Sequence, residues 1–396
     1  MAYVAVKGGS HAIHEAEKLL KYIPWKEGGA PLEVQQIRTG MRLAVDRVMS
    51  EGSLYDPDLA ALALKQAEGD VLEASFLLRA FRSTLVRNFY TLPIQTENME
   101  VIRRISATFK EVPGGQYLGP TRDYTKRLLD LSRMEEDPSE IMKYVTEYLS
   151  ENLSEALQQE LTGTRASEGE IPVFPRVIEL LRAEELLATG ELQGEDDIVD
   201  DITRHAISFP ASRSARLQTM ARGESGALMA FAYSSVRGYG DVHPTIGELR
   251  VGYVPVEIEH PFYPGEKMTI GRVLVTESEM VVRVHAENHR EAAGRAQFAV
   301  GYGLCFGHNE DKAISMSILD QTMQQQNADS PAQDEEFVLY HIDGIESSGF
   351  ISHFKLPHYV DFQAELQRVR SINDSGDRRA EEDGEQEKEA TTHGSL

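Results

Sequence analysis

The chain has 396 residues, 41% of them hydrophobic, a net charge of −24 at pH 7 and one cysteine, Cys305. That length accommodates about two to three domains with a real core, while the charge argues against nonspecific binding to nucleic acid or an anionic membrane. No run approaches the roughly 18 apolar residues of a membrane span. A lone cysteine excludes an internal disulfide, a self-contained iron–sulfur cluster and a cysteine-rich zinc knuckle, so any metal must be held by histidine and carboxylate or with a partner's help.

The opening run Met1-Ala2-Tyr3-Val4-Ala5-Val6 has no basic region ahead of it, so a secretory signal is not expected and the chain is predicted to be cytoplasmic. Val4 to Gly9 reads as a short strand turning into a helix capped by Ser10, a geometry that can hold an anion or simply start a helix. Helices dominate the first third. Asp56-Pro57 and Asp137-Pro138 each place a capping acid before a proline suited to the first helical position, and Asp70 with Glu73 and Asp137 with Glu140 have capping-box spacing. Between them, Pro113-Gly114-Gly115-Gln116-Tyr117-Leu118-Gly119-Pro120 is a loop that can approach a ligand closely or merely turn. After Asp137, Ile141, Val145, Leu149, Leu153 and Leu157 recur every fourth residue, which predicts a long helix with one apolar stripe.

Residues 162 to 200 read as an insertion or linker holding one short helix around Arg176 to Leu187. From Glu184 to Asp201 there are eight acids and no base. Two other stretches run the opposite way: Arg79 to Arg127 holds nine bases against four acids, and Thr203 to Arg250 holds six arginines, no lysine and three acids. Arginine without lysine suits phosphate or phosphonate, because a planar guanidinium grips two oxygens at once. Arg213, Arg216 and Arg237 are the candidates, against surface arginines paired to the acidic segments.

After a helix around Leu228 to Tyr233 the pattern changes to strand spacing over Glu248 to Glu259, Lys267 to Val275 and Met280 to His285, predicting a mainly antiparallel sheet. Glu277 and Glu279 share one face of a strand, as paired catalytic carboxylates or, more simply, as exposed acids. Phe298, Val300, Tyr302, Leu304 and Phe306 line one face of the last strand. Ala299, Gly301, Gly303 and Cys305 leave the other face nearly bare, so a packed helix or a ligand must come close to it. Gly307-His308-Asn309 then leads into a helix through Ile314, Ile318 and Leu319, a strand–glycine–helix junction that offers a second, weakly specified phosphate seat.

Near the end, His353 and His358 flank Leu356-Pro357, which reads as the boundary before a helix running to about Arg370 on the spacing of Tyr359, Phe362, Leu366 and Val369. His358 falls in the first turn, where the helix dipole favours the neutral, metal-binding imidazole, and Asp361 can ligate or orient from the same face. Two histidines are half of a tetrahedral zinc site; packed, hydrogen-bonded histidines are the alternative. From Asp374 to Glu389 eight acids face three bases with no aromatic residue, which predicts disorder. The expectation is an α+β chain with a helical region at 1–133, an acidic helical insertion at 134–201, an arginine-rich sheet region at 202–330, a helical segment at 331–370 carrying the histidines, and an acidic tail at 371–396.

Tyr3-Val4-Ala5-Val6-Lys7-Gly8-Gly9, Leu59-Ala60-Ala61-Leu62-Ala63-Leu64-Lys65-Gln66-Ala67, Pro113-Gly114-Gly115-Gln116, Arg237-Gly238-Tyr239-Gly240, Gln333-Asp334-Glu335-Glu336-Phe337-Val338-Leu339 and Lys355 through Leu366 together resemble the PhnI family of the bacterial carbon–phosphorus lyase system, over about residues 3 to 370. The resemblance implies a core-complex subunit acting with PhnG, PhnH and PhnJ, joined by PhnK and PhnL. The implied reaction displaces adenine from ATP with a phosphonate such as methylphosphonate, giving α-D-ribose 1-methylphosphonate 5-triphosphate, and the implied activity of the chain alone is release of the base from ATP or GTP. It also implies that His353 and His358 belong to a zinc site at the PhnJ interface. Cleaving a ribose–base bond builds positive charge on the sugar, and charge and position single out Glu277, Glu279, Asp334 and Glu335 to stabilise it, with Arg213, Arg216 and Arg237 for the phosphate groups. A scaffold completing PhnJ's metal site and a free-standing metal hydrolase are the competing expectations.

Overall fold

A computed structural model describes residues 9–161, 175–188, 199–238, 243–284, 296–324 and 330–392. The strand expected from Val4 and the turn at Thr162 to Thr164 lie outside these residues, as do Tyr239 and Gly240. Two compact units are present: residues 32–345, and residues 1–31 together with 346–396. The composition-based boundaries after residues 133, 201 and 330 all fall inside the first unit.

In the second unit, α1 (Ser10–Tyr22) begins one residue earlier than expected. Gly9, with φ of 89°, occupies the capping position and Ser10 makes no cap bond, because a left-handed backbone there is open to glycine.

The first unit starts with four short helices, α2 (Val34–Gly40), α3 (Arg42–Gly52), α4 (Pro57–Gln66) and α5 (Val71–Thr84). Asp56 accepts from the amides of Asp58 and Leu59, and Asp70 from those of Leu72 and Glu73, so both predicted starts form. Val45, Val48, Met49, Ala60, Leu64, Ala74 and Leu78 close a core between these helices.

Strands β1 (Glu100–Ile105), β2 (Thr245–Glu259), β3 (Lys267–Val284) and β4 (Gln297–Phe306) form one antiparallel sheet in that order. The α+β expectation holds. β3 joins two stretches that sequence spacing kept apart, because Thr276, Glu277, Ser278 and Glu279 continue the pairing in register.

Helix α10 (Glu310–Met323) covers the bare face of β4. A Cβ at Gly301 would lie 1.8 Å from the Ser317 carbonyl oxygen, and one at Gly303 2.2 Å from that of Ala313, so the neighbour is a helix and the glycines set how near it comes. Helices α8 (Arg213–Arg222), α9 (Ser225–Gly238) and α11 (Glu335–His341) pack around it through Met220, Leu228, Met316, Leu319, Val338 and Ile342.

Helix α6 (Pro138–Leu161) forms as predicted, with Ile141, Val145 and Leu149 of its apolar stripe exposed. The helix expected around Arg176 to Leu187 is shorter, α7 (Val177–Ala183), and its Val177, Ile178 and Leu181 are buried. Leu187 then bridges Phe298 in parallel. Residues 175–188 are thus packed against the sheet region, an outcome invisible in a segment whose acids suggested a linker.

Helix α12 (Gly344–His353) precedes the predicted Leu356-Pro357 boundary, and α13 (Tyr359–Thr392) follows it. α13 runs past Arg370 through the tail expected to be disordered. Charge balance suggested disorder, but the tail lacks proline and its commonest residue is glutamate, which is favourable in helices.

Candidate functional site

Alternation along β2 and β3 puts Glu248, Arg250, Glu277 and Glu279 on the sheet face opposite α10. In the observed register Arg250 faces Glu277, Glu248 faces Glu279, Glu279 faces Tyr302, and Arg104 on β1 faces Arg250. Arg104, Glu248, Arg250, Glu277 and Glu279 are buried, with Glu277 only 1% and Glu279 7% exposed, and Tyr302 is partly buried. The simpler expectation of exposed strand acids is therefore corrected: on a covered face, paired arginines replace the water each carboxylate gives up.

Each acid has a different environment. Glu277 Oε2 accepts from Arg250 Nε at 2.9 Å, while its Oε1 accepts from Thr96 Oγ1 at 2.8 Å, Tyr302 Oη at 2.9 Å and Arg176 Nη2 at 3.0 Å. Burial alone would raise its pKa, but Arg250, Arg176 and the Thr96 hydroxyl outweigh it and hold the group below the ordinary range. Glu279 shares only Arg176, through Oε1, and its buried Oε2 has no hydrogen-bond partner. Burial pushes its pKa up to about 7 against the pull of Arg176, with Glu277 and Glu248 adding like-charge repulsion. The Tyr302 phenol is held protonated, its pKa raised by burial and by Glu277. One strand thus carries a fixed carboxylate and, two residues on, an acid able to give or take a proton near neutrality.

Arg176, the N-cap residue of α7, straddles the pair. Burial disfavours its charge, yet Glu277 and Glu279 together raise its pKa, so it stays a cation. Behind it, Arg104 pairs with Glu248 and donates to the carbonyls of Pro113, Gly115 and Pro175. The glycine loop therefore turns around a buried guanidinium.

Tyr302 also connects this centre to the arginine-rich stretch. Its backbone amide donates to Asp320 Oδ2 at 3.0 Å, and Asp320 accepts from Arg213 Nη2 at 2.7 Å. Arg213 remains 39% exposed on its side chain. Arg216 pairs with Glu335 at 3.1 Å, and Glu335 also accepts from the Ala211 amide. Asp334 caps α11 through the Phe337 amide. Arg237 is exposed in the last turn of α9, with no polar partner among the described residues. Glu277 and Glu279 are thus brought together, and Arg216 joins Glu335 elsewhere on α8 and α11.

The second phosphate seat contains a protein acid. Asp46 Oδ2 accepts from the His308 amide at 3.0 Å, and a Cβ at Gly307 (φ 73°) would lie 2.5 Å from the Asp46 Cβ. The carboxylate takes the position an external anion would need.

In the other unit, the His353 and His358 rings lie 5.3 Å apart. His353 Nδ1 donates to the Phe350 carbonyl and His358 Nδ1 to that of Leu356 at 2.6 Å. Those bonds leave both Nε2 lone pairs for a metal. His358 precedes α13 as its capping residue, its carbonyl accepting from the Phe362 amide. No group of three metal-binding side chains occurs among the described residues, so Asp361 does not complete the pair. Two imidazole nitrogens are a chemically suitable half of the four donors that tetrahedral zinc takes.

Strand alternation could have found Glu248, Arg250 and Tyr302. Arg176 and Thr96 carry no local signal, since one caps α7 and the other opens the short 3-10 turn Thr96–Asn98, and both reach the acids only through packing.

Residues 2–376 match the family described as "Bacterial phosphonate metabolism protein (PhnI)". The chain is 44% identical over 377 residues to the alpha-D-ribose 1-methylphosphonate 5-triphosphate synthase subunit PhnI of Rhizobium meliloti (strain 1021), covering 93% of this chain and 94% of that one. It is 45% identical over 376 residues to the subunit of the same name from Escherichia coli (strain K12), covering 93% and 98%. HtxH of Stutzerimonas stutzeri, assigned by name to C–P lyase, is 46% identical over 390 residues, covering 97% and 99%.

Proposed function

The chain belongs to the PhnI family of bacterial phosphonate metabolism proteins, and from that premise we propose that it is a subunit of an alpha-D-ribose 1-methylphosphonate 5-triphosphate synthase. In this reaction a phosphonate oxygen attacks the anomeric carbon of ATP. The new carbon–oxygen bond forms as the ribose–adenine bond breaks, and the bonding pair leaves with adenine, which takes up a proton. Water in place of phosphonate gives the nucleosidase reaction of the chain alone, with ATP or GTP.

The observation that carries this reading is the unequal pair Glu277 and Glu279. Glu277, kept ionised by two arginines, stabilises the cationic sugar. Glu279, with its proton exchangeable near pH 7 and Oε2 unpartnered, protonates the departing base. Arg176 holds both acids in place. Arg213, anchored by Asp320, turns its outer nitrogen to a phosphonate, and Arg237 adds a second cation. Arg216, Glu335 and Asp334 support that wall.

His353 and His358 would hold zinc through Nε2 with ligands from a PhnJ-like partner, and the metal would supply Lewis acidity or an interface clamp. PhnG, PhnH, PhnJ, PhnK and PhnL are the sister subunits implied. The incomplete donor set specifically favours a second reading, a scaffold whose histidines complete a partner's metal site.

Adenine release from ATP, followed by chromatography with and without methylphosphonate, tests the assignment on the full chain alone and with its sister subunits. Glu279→Gln should slow release by about 100-fold or more, the contribution of a general acid. Undiminished release would remove Glu279 from the chemistry. Release that requires the partners, and is untouched by either glutamate, would establish the scaffold reading.

A further inference from the structure

The two cationic stretches, more than a hundred residues apart in sequence, meet at one open cleft of about 500 Å³. Arg82, Ser83 and Arg87 come from the end of α5 and the segment after it; Thr203 and Arg204 come from the segment before α8. The volume falls within the range of small-molecule sites. In a chain of net charge −24, this concentration of guanidiniums makes a local positive field that general composition does not explain.

The charges are not matched from within. Asp201 pairs with Arg87 at 2.5 Å and lies 4.0 Å from Arg204, so one carboxylate serves two arginines. The Arg82 guanidinium has no hydrogen-bonded partner among the described residues. Its pKa is lowered by burial and then by repulsion from Arg222, Arg79 and Arg87, with Asp201 opposing. Like charges held together in a half-buried cleft are relieved by a bound anion.

The surroundings do not compete for that role. Helix α5 ends here, and its free carbonyls would otherwise repel an anion. They are occupied: Ser83 Oγ donates to Ala80 at 2.6 Å, Thr84 Oγ1 to Phe81 at 2.7 Å and the Leu85 amide to Arg82 at 3.1 Å. Arg87 is pre-oriented, donating from Nη2 to Thr203 Oγ1 at 2.8 Å and lying over the Tyr90 ring at 5.2 Å. The Leu85 and Val86 side of the cleft is apolar.

We propose that this cleft is a polyphosphate site, in which Arg82, Arg87 and Arg204 grip the triphosphate of a nucleoside triphosphate. Three guanidiniums lining one cleft match the several charges of a polyphosphate better than those of one tetrahedral anion, and Leu85 and Val86 suit the nucleoside. The choice of a nucleotide rests on the function proposed above; the polyanion site does not.

Isothermal titration of the full-length chain with inorganic tripolyphosphate, ATP, inorganic phosphate and methylphosphonate tests it. Tripolyphosphate and ATP should compete for one site and bind more tightly than either single anion. Arg82→Gln and Arg204→Gln should each weaken tripolyphosphate binding by about tenfold or more, the loss expected for a charged hydrogen bond, while the surface variant Arg38→Gln binds as wild type. Arg204 is 55% exposed on its side chain, so its variant folds normally even if Arg82→Gln does not. Wild-type affinity in Arg204→Gln and in folded Arg82→Gln, no tripolyphosphate binding by wild type, or tighter binding of methylphosphonate at this cleft would each overturn the proposal. Binding lost in the variants, with no adenine released from ATP by wild type and its partners, would keep the site and refute the proposed reaction.

Discussion

Replacing Glu279 by glutamine keeps the shape of the side chain and removes its ionisation, which isolates one term in the pH dependence of stability. The carboxyl titrates near 4.5 when exposed and at about 7 in the fold. A raised folded pKa means that the group's contribution is fully present below the unfolded value and is lost as pH rises through the folded one. The difference is roughly 2.5 units, and at about 1.4 kcal/mol per unit it amounts to about 3 kcal/mol. Wild type should therefore lose about 3 kcal/mol relative to Glu279→Gln between about pH 4.5 and pH 8. Titrating groups away from Glu279 are common to the two proteins and cancel, so the difference reports Glu279 and the neighbours coupled to it. Urea unfolding followed by circular dichroism across that range measures the difference directly. A stability difference that stays flat over the whole window would show that Glu279 is an ordinary ionised acid, and its role as proton donor would fall with it.

Glu277→Gln should behave oppositely, costing about 3–5 kcal/mol at neutral pH because Arg250 and Arg176 lose a buried counter-charge; a loss under about 1 kcal/mol in the same unfolding assay would refute that pairing. Gly301→Ala drives a Cβ into the Ser317 carbonyl and should destabilise by about 3 kcal/mol or more, read as a drop in melting temperature. His353→Ala removes one of the two free imidazole nitrogens; zinc measured by mass spectrometry in the chain purified with its partners should fall while the unfolding midpoint stays put. Unchanged zinc content would exclude His353 as a ligand. Asp56→Ala should cost about 1 kcal/mol through loss of two amide bonds at the start of α4, and an unaltered urea midpoint would contradict the cap.

Local chemistry was legible from residues a few positions apart. Asp56-Pro57 and Asp70 marked helix starts, alternation marked β4, and the glycine row announced a close neighbour. The chain's resemblance to its family was likewise carried by short runs such as Lys355 through Leu366. These signals survive because a cap or a strand face depends on backbone geometry within one or two turns. The histidine pair was also visible, since five residues of spacing and an intervening proline already bring the rings within reach.

Tertiary structure alone decided what each charge does. Nothing in the spacing of Glu277 and Glu279 distinguishes them; Arg250 and Thr96 sit on the first and not the second, and that separates a fixed anion from an acid titrating near neutrality. Arg176 looked like part of a linker, yet it bridges both acids because α7 packs its apolar side beside the sheet. Asp46, more than 250 residues from His308 in sequence, fills the turn that glycine spacing offered to phosphate. Arg82 and Arg204 face one cleft only because the chain returns there. Charges interact through space with a strength set by burial and distance, so sequence could name the ionisable residues, while their partners, protonation and purpose depended on the fold.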